Sequence, residues 1–265
     1  MFSDVDRAQD PRSLIKYVEK ANANNRQRAL KEQVIKRILR PQPGEAVLDV
    51  GCGVGHDAHV LAELVGGRGH VTGIDRSQLM VQEAKKRSRY PRSRLAFLVM
   101  NGSNMECESG VFDACLIVST MMHASRPAAM LSEVARVLKV GGRLVVFEPD
   151  WDMLVLDTGD RAVSRHLVRM LRQGVKNSGI GHQLPSLFRQ AGLRNIKVEC
   201  GALTASSYRE INDAWRLKAI LDKARRRRLC SAKQVQAWLQ QVKWAAKMGC
   251  LFGASAGFAV YGRKA

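Results

Sequence analysis

Three glycines at alternate positions, Gly51, Gly53 and Gly55, follow directly on the apolar run Ala46-Val47-Leu48-Asp49-Val50. Glycines in such a place let the chain turn sharply and let a ligand approach the backbone closely. A helix starting after them turns its first amides toward that ligand. The spacing is G-x-G-x-G. A dinucleotide fingerprint needs glycine at position 56, which is His56, and the Gly-Lys-Ser/Thr of a Walker loop is absent. Asp75 stands 20 residues after Gly55, at the end of the next apolar run, where a carboxylate can accept both hydroxyls of a ribose.

Further along the chain, Ser119-Thr120-Met121-Met122-His123 and Glu148-Pro149-Asp150-Trp151-Asp152 each leave an apolar run. His123 can take up a proton or simply line a pocket. The second run sets three carboxylates around one indole: a base beside a face that attracts positive charge, or acids that cap a turn. His182 lies in a glycine-flanked loop, Tyr17 on an N-terminal helix, and Trp215, Trp238 and Trp244 near the end, where packing is their first reading.

These residues need a scaffold. Residues 12–40 read as helix in two pieces, broken near Asn22-Ala23-Asn24-Asn25 and stopped by Pro41 and Pro43-Gly44. Short apolar runs at 46–50, 70–75, 95–99, 112–118 and 143–147 read as strands, alternating with helical stretches after the glycine loop, from Ser77 and over 127–138. That alternation predicts an α/β domain with a largely parallel sheet. Helices at about 160–173 and 184–191, a strand at 195–199 and a last strand within 251–261 follow. Between those two strands the capping boxes Ser207/Glu210 and Ser231/Gln234 start a helical pair, an insertion at about 207–248.

The chain resembles the class I S-adenosylmethionine-dependent methyltransferases over about residues 28–265. The resemblance rests on Leu48-Asp49-Val50-Gly51-Cys52-Gly53-Val54-Gly55, Thr72-Gly73-Ile74-Asp75, Val111-Phe112-Asp113-Ala114, the run Ala135 to Leu144, and the tail Phe252 to Lys264. It implies a Rossmann-like, seven-stranded, largely parallel sheet, with residues 1–44 as a helical lid and 45–265 as the methyltransferase domain. It implies S-adenosylmethionine as cofactor, with Gly51, Cys52, Gly53 and Gly55 along its amino-acid part and Asp49 beneath the loop. Asp75 would take the ribose, Arg76 would flank adenine, and Asn101, Gly102, Ser103 and Ser119 would complete the site. Asn101 stands where the family usually has an acid, Val140 where it has proline, and Arg126 where it has an acid.

Methyl transfer asks the protein to hold a nucleophile in line with the methyl group in a cleft shut from water. On the resemblance, His123, Asp150 and Asp152 are the catalytic candidates, and Tyr17, His123, Trp151, His182 and Trp215 the substrate-side ones. The Glu148–Asp152 run is similar to that of natural-product enzymes, some of which methylate carbon in prenylated or terpenoid substrates.

Composition narrows the partners. The 265 residues carry 43 Lys+Arg and 24 Asp+Glu, a net charge of +19. Residues 45–150 are electroneutral, while 151–265 hold 21 basic and 7 acidic residues, with the densest run at Lys223 to Arg228. That run is either a solvated helix end or a site for an anionic substrate, a nucleic acid or an anionic membrane surface. RNA is the disfavoured alternative: strand four ends without the Asn/Asp-Pro-Pro-Tyr/Phe of base-methylating enzymes, and 6% of residues are aromatic. No apolar run approaches the ~18 residues of a span, the acidic start does not read as a signal peptide, and the scattered cysteines form no CxxC pair. The expectation is a cytoplasmic enzyme of secondary metabolism, without a bound metal, that methylates carbon, oxygen or nitrogen of a small apolar metabolite able to carry an anionic group. A homo-oligomer through the N-terminal helices is compatible with the resemblance, and so is a protein that binds the cofactor without transferring its methyl group.

Overall fold

The computed structural model describes residues 5–6, 10–23 and 25–265. Of the segments read from sequence, Met1 to Asp4 and Asn24 at the helix break lie outside the described residues. Two helices, α1 (Pro11–Ala23) and α2 (Asn25–Gln33), lead into a π-helical turn, Val34–Leu39. The turn stops at Arg40, which is left-handed (φ 51°).

Seven strands follow: β1 (Ala46–Val50), β2 (His70–Asp75), β3 (Leu95–Val99), β4 (Phe112–Val118), β5 (Leu138–Asp157), β6 (Leu193–Ala205) and β7 (Phe252–Lys264). They form one sheet in the order β3-β2-β1-β4-β5-β7-β6, and β7 alone is paired antiparallel, to both neighbours. The expected α/β architecture with a largely parallel sheet is what the chain adopts. The strand order reverses between β1 and β4, so a crevice opens at their carboxyl ends.

Alternating residues of the central strands enter two cores. Leu48, Val50, Cys115 and Ile117 pack toward α5 (Pro127–Val137) and α7 (Ile180–Gln190). Val47, Ala114 and Leu116 pack toward α3 (His56–Val65), α4 (Gln78–Arg87) and the π turn. Burial on both faces explains why these strands read as continuous apolar runs.

A third core belongs to the cap, and here the structure departs from the sequence reading. The capping boxes at Ser207 and Ser231 are both formed. The expected helical pair is three helices, because Arg216 takes a left-handed conformation (φ 52°) and separates α8 (Tyr208–Trp215) from α9 (Leu217–Arg226). The third is α10 (Ala232–Lys247). The cap also recruits α6 (Arg161–Gln173) and the far end of β5, whose Leu154 and Leu156 are buried with Leu167, Trp215 and Val242. Among the described residues, no helix is long and apolar enough to cross a membrane.

Candidate active site

The crevice is a cavity of about 350 Å3, within the ~300–1,000 Å3 usual for small-molecule sites. Its walls come from two sides of the point where strand order reverses. The ends of β1, β2 and β3 supply Gly51, Cys52, Gly53, Asp75, Arg76 and Asn101 to Ser103. The other half is built from the end of β4, the middle of β5, the second half of β6, the first half of β7, and helices α1, α2 and α8.

The first half is fixed by backbone geometry. Gly51 and Gly53 have φ of 76° and 52°. A Cβ on Gly51 would lie 2.1 Å from Thr120 Oγ1, so the close approach of these two loops requires glycine. The Gly53 amide donates to Asp75 Oδ2 at 3.0 Å and the Ser77 amide to Oδ1 at 2.9 Å. The carboxylate is thereby aimed at the cleft, and burial raises its pKa. Asp6 closes the same corner: its carboxylate accepts from Ser77 Oγ at 2.6 Å and from the Gln78 amide at 2.9 Å at the start of α4. Beneath the loop, Asp49 is buried, its Oδ2 has no hydrogen-bond partner, and burial raises its pKa well above the ordinary carboxylate range. Burial also pushes the Cys52 thiol well up, away from the thiolate form.

Asn101 departs from expectation in one respect. Its Oδ1 accepts from the Ser103 amide at 3.0 Å. Ser103 therefore spends its amide inside the turn, and its hydroxyl donates to the Arg126 carbonyl at 3.3 Å.

The second half is apolar and aromatic, with Tyr17, Phe147, Trp151, Leu203 and Trp215 on its walls. Trp215 is held by its Nε1–H, which donates to Ser255 Oγ at 3.2 Å. The Tyr17 ring lies beneath the Arg216 guanidinium, 4.4 Å from its centroid. The hydroxyl of Tyr17 reaches the Ala214 carbonyl at 3.4 Å, and burial raises its pKa. Among the described residues, the carboxylates lining the whole cleft are Asp57 and Asp75, both beside the glycine loop.

His123 lines this half on a short turn after β4. Burial lowers its pKa to about 4, so the imidazole is neutral at pH 7 and a weak base. The turn hangs on Glu148, whose buried carboxylate accepts from the amides of Thr120 at 2.7 Å, Met121 at 2.6 Å and Met122 at 3.3 Å. Desolvation raises the Glu148 pKa to about 7, against the opposing pull of those amides.

A proton balance follows. The unfolded chain binds a proton at His123 from about pH 6.5 downward, the folded one from about 4, so this residue removes stability as pH falls between those values. Replacing His123 with Asn is expected to flatten the acid limb of the wild-type stability curve by up to ~1.4 kcal/mol per pH unit, read from urea unfolding at pH 4 to 7. Turnover at pH 7 to 8 is expected to fall less than tenfold, since a general base would be worth ~100-fold or more. A larger drop with an altered pH profile would restore the base reading.

Five expected site residues are not on the cleft wall, three of them beside β5. The sequence reading stopped β5 near Phe147, but the strand runs on to Asp157, with a bulge between Asp150 and Val155. Its period of two puts Phe147, Pro149 and Trp151 on the cleft wall and turns Glu148, Asp150 and Asp152 away. Buried Asp150 accepts from the His182 amide at 2.8 Å, lies 2.7 Å from His182 Nδ1, and accepts from the Asp152 amide at 3.0 Å. Asp152 pairs with Arg172 at 2.9 Å. Asp150, Asp152 and His182 thus join β5 to the start of α7, a structural cluster outside the reaction space. Gly55 and Asp49 are also off the wall. Gly55 starts α3 at φ 86° with the Phe97 ring where its Cβ would be. Phe147, Met122, Gly201 and Leu203 line the cleft and were not picked out; the alternation along β5 was the available signal for Phe147.

Residues 41–215 match a family model described as a methyltransferase domain. The chain belongs to the class I S-adenosylmethionine-dependent methyltransferases. An uncharacterised 37.1 kDa protein in a transposon of Streptomyces fradiae is 38% identical over 67% of this chain and 51% of its own length, so the chain spans about half of that relative. A ubiquinone/menaquinone biosynthesis C-methyltransferase of Rhizobium johnstonii is 31% identical over 64% of this chain and 72% of its own length. Among solved structures, the YcgJ protein of Bacillus subtilis shares the fold with a TM-score of 0.64 at 19% identity, over 89% of this chain and 98% of that one.

The residues of the methyltransferase fit the family's cofactor. A glycine cradle that a Cβ would fill, a ribose-competent carboxylate and a buried carboxylate with one unpartnered oxygen suit a ligand carrying a nucleoside at one end and an ammonium at the other.

Proposed function

We propose that the chain transfers a methyl group from S-adenosylmethionine to a small, largely apolar, oxygen-bearing or unsaturated metabolite held in the aromatic half of the cleft. The observation that carries this reading is the division of one cavity into a polar half beside the glycine loop and an apolar half without a carboxylate. In it, Gly51 and Gly53 line the amino-acid part of the cofactor, Asp49 beneath the loop orients its ammonium through backbone or water, and Asp75 accepts the ribose hydroxyls. Arg76 and Asn101 border the adenine, with Gly102 beneath it. The cofactor supplies an electrophilic methyl group; the chain supplies position, dryness and an aromatic lining that tolerates positive charge.

His123, neutral and weakly basic, orients the acceptor and does not deprotonate it. The nucleophile must therefore be reactive at neutral pH on its own account, as an electron-rich double bond, an acidic phenol or an enol is. The Rhizobium relative's name, a C-methyltransferase of quinone biosynthesis, agrees in kind with such an acceptor. Helices α1 and α2 and the cap close over this half through Tyr17, Leu30 and Trp215, the arrangement of a lid. RNA is the lesser reading, since an extruded base has a polar edge that this chamber cannot satisfy.

Leu203→Trp tests the division. It fills the apolar half from β6, and is expected to raise the acceptor KM at least tenfold while leaving the calorimetric Kd for S-adenosylmethionine within twofold. Equal loss of both would contradict a two-compartment cleft.

A further inference from the structure

The cap presents a second surface, remote from the cleft. From Arg216 to Gly249 the chain carries ten Lys/Arg and one acid, Asp222. Helix α6, packed beside α9 and α10, adds Arg161, Arg165 and Arg169, its fourth arginine, Arg172, being paired with Asp152. Arg225 to Arg228 at the end of α9 are all exposed.

On α10 the exposed residues Lys233, Ala237, Gln240, Trp244 and Lys247 recur at helical spacing and share one face. Trp244 is 50% exposed in the middle of that face, Met248 follows it at 60%, and Leu229 before the helix is at 57%. Large apolar side chains set among lysines on a helix without acids are the pattern of a helix lying in a bilayer interface. Between α9 and α10 a groove with Val235 and Leu239 in its floor carries Arg225 and Lys243 on its walls. That combination takes an anionic headgroup and the first part of an acyl chain together.

We infer that the outer face of the cap, α10 with the end of α9, docks on an anionic phospholipid bilayer. The bilayer is preferred to nucleic acid because Leu229 and Met248 are aliphatic and offer no stacking surface, while both can enter the acyl boundary. The charge supplies the attraction, as polybasic surfaces do at acidic leaflets. Membrane attachment rests on this face alone and stands or falls independently of the methyl-transfer reading.

The test is sedimentation of the full chain, without cofactor or substrate, with vesicles of phosphatidylcholine containing 30% phosphatidylglycerol and with phosphatidylcholine alone. Binding is expected to be at least tenfold tighter to the anionic vesicles and to fall with salt. Lys243→Gln with Lys247→Gln should weaken it about 30-fold. Trp244→Ala should weaken it about fivefold while leaving retention on a heparin column unchanged, and the blue shift of tryptophan emission on binding should vanish in Trp244→Phe. Arg225→Gln on α9, outside α10, is a second, independent variant with the same expected direction. No preference for anionic vesicles overturns the inference. So does vesicle binding indifferent to Trp244 together with tight, salt-steep binding of single-stranded RNA, which would assign the face to nucleic acid.

Discussion

Asp75→Ala is expected to weaken S-adenosylmethionine binding by about 100- to 1,000-fold, measured by titration calorimetry. The carboxylate sits at the end of β2, and two backbone amides already fix it, Gly53 at 3.0 Å and Ser77 at 2.9 Å. Its remaining lone pairs face the cleft, where two ribose hydroxyls would donate. Hydrogen bonds to a charged group contribute ~1.5–3 kcal/mol each, and two of them set the scale of the loss. The substitution also frees the Gly53 amide, so the glycine loop loses its brace as the ligand loses its partner. Asp75→Asn separates the effects: it keeps the shape and one acceptor oxygen, and should bind about tenfold more weakly than wild type. Near-normal affinity of the alanine variant would remove Asp75 from the site.

The second large effect is expected at Glu148, which touches neither ligand. Its carboxylate gathers three successive amides of the turn that carries Met122 and His123 into the cleft. Glu148→Ala leaves them without an acceptor in a buried place, at ~1–3 kcal/mol each where water does not enter. A destabilisation of about 3–5 kcal/mol follows, with a fall in Tm of roughly 10 °C. Glu148→Gln keeps an oxygen for Thr120 and Met121 but sets its own N–H groups against Met122, and should cost about half as much. The same pair of variants has a pH signature. Because the folded pKa is near 7 and the unfolded one near 4.5, wild-type Glu148 lowers stability as pH rises through that interval. Both variants should lose this slope, and an unchanged slope would show that Glu148 does not titrate there. Turnover in Glu148→Gln should fall through kcat more than through cofactor affinity, as befits a positioning residue.

The two residues differ in how visible they were. Asp75 was legible because everything that marks it is local: a strand, a glycine loop before it and a fixed interval between them. The capping boxes at Ser207 and Ser231 were legible for the same reason, and both are formed. Glu148 was hidden by its neighbours. Three acids around a tryptophan suggest a catalytic cluster, since Asp is uncommon within strands and nothing local carries the strand past Phe147. With β5 continued to Asp157, alternation alone divides the run into wall and support.

Other features had no local signal at all. Arg216 breaks the cap helix in a left-handed turn with no glycine to announce it. Gly201 and Leu203 reach the cleft because β6 lies at the far edge of the sheet beside β7, a long-range pairing that no short window contains. The same holds for the apolar chamber as a whole. Its walls come from α1, α2, α8 and four strands, and its character emerges only when they are brought together.

The destination of the methyl group tests the central claim most directly. The full chain is incubated with S-adenosylmethionine labelled in its methyl group and with a soluble cell extract, which is then divided into solvent-extractable small molecules, RNA and protein. The label is expected in the solvent-extractable fraction, in a compound that competes with small aromatic or unsaturated acceptors, and Leu203→Trp should reduce it at least tenfold. Label confined to RNA or protein, or cofactor bound with no methyl transferred to any fraction, would contradict the assignment.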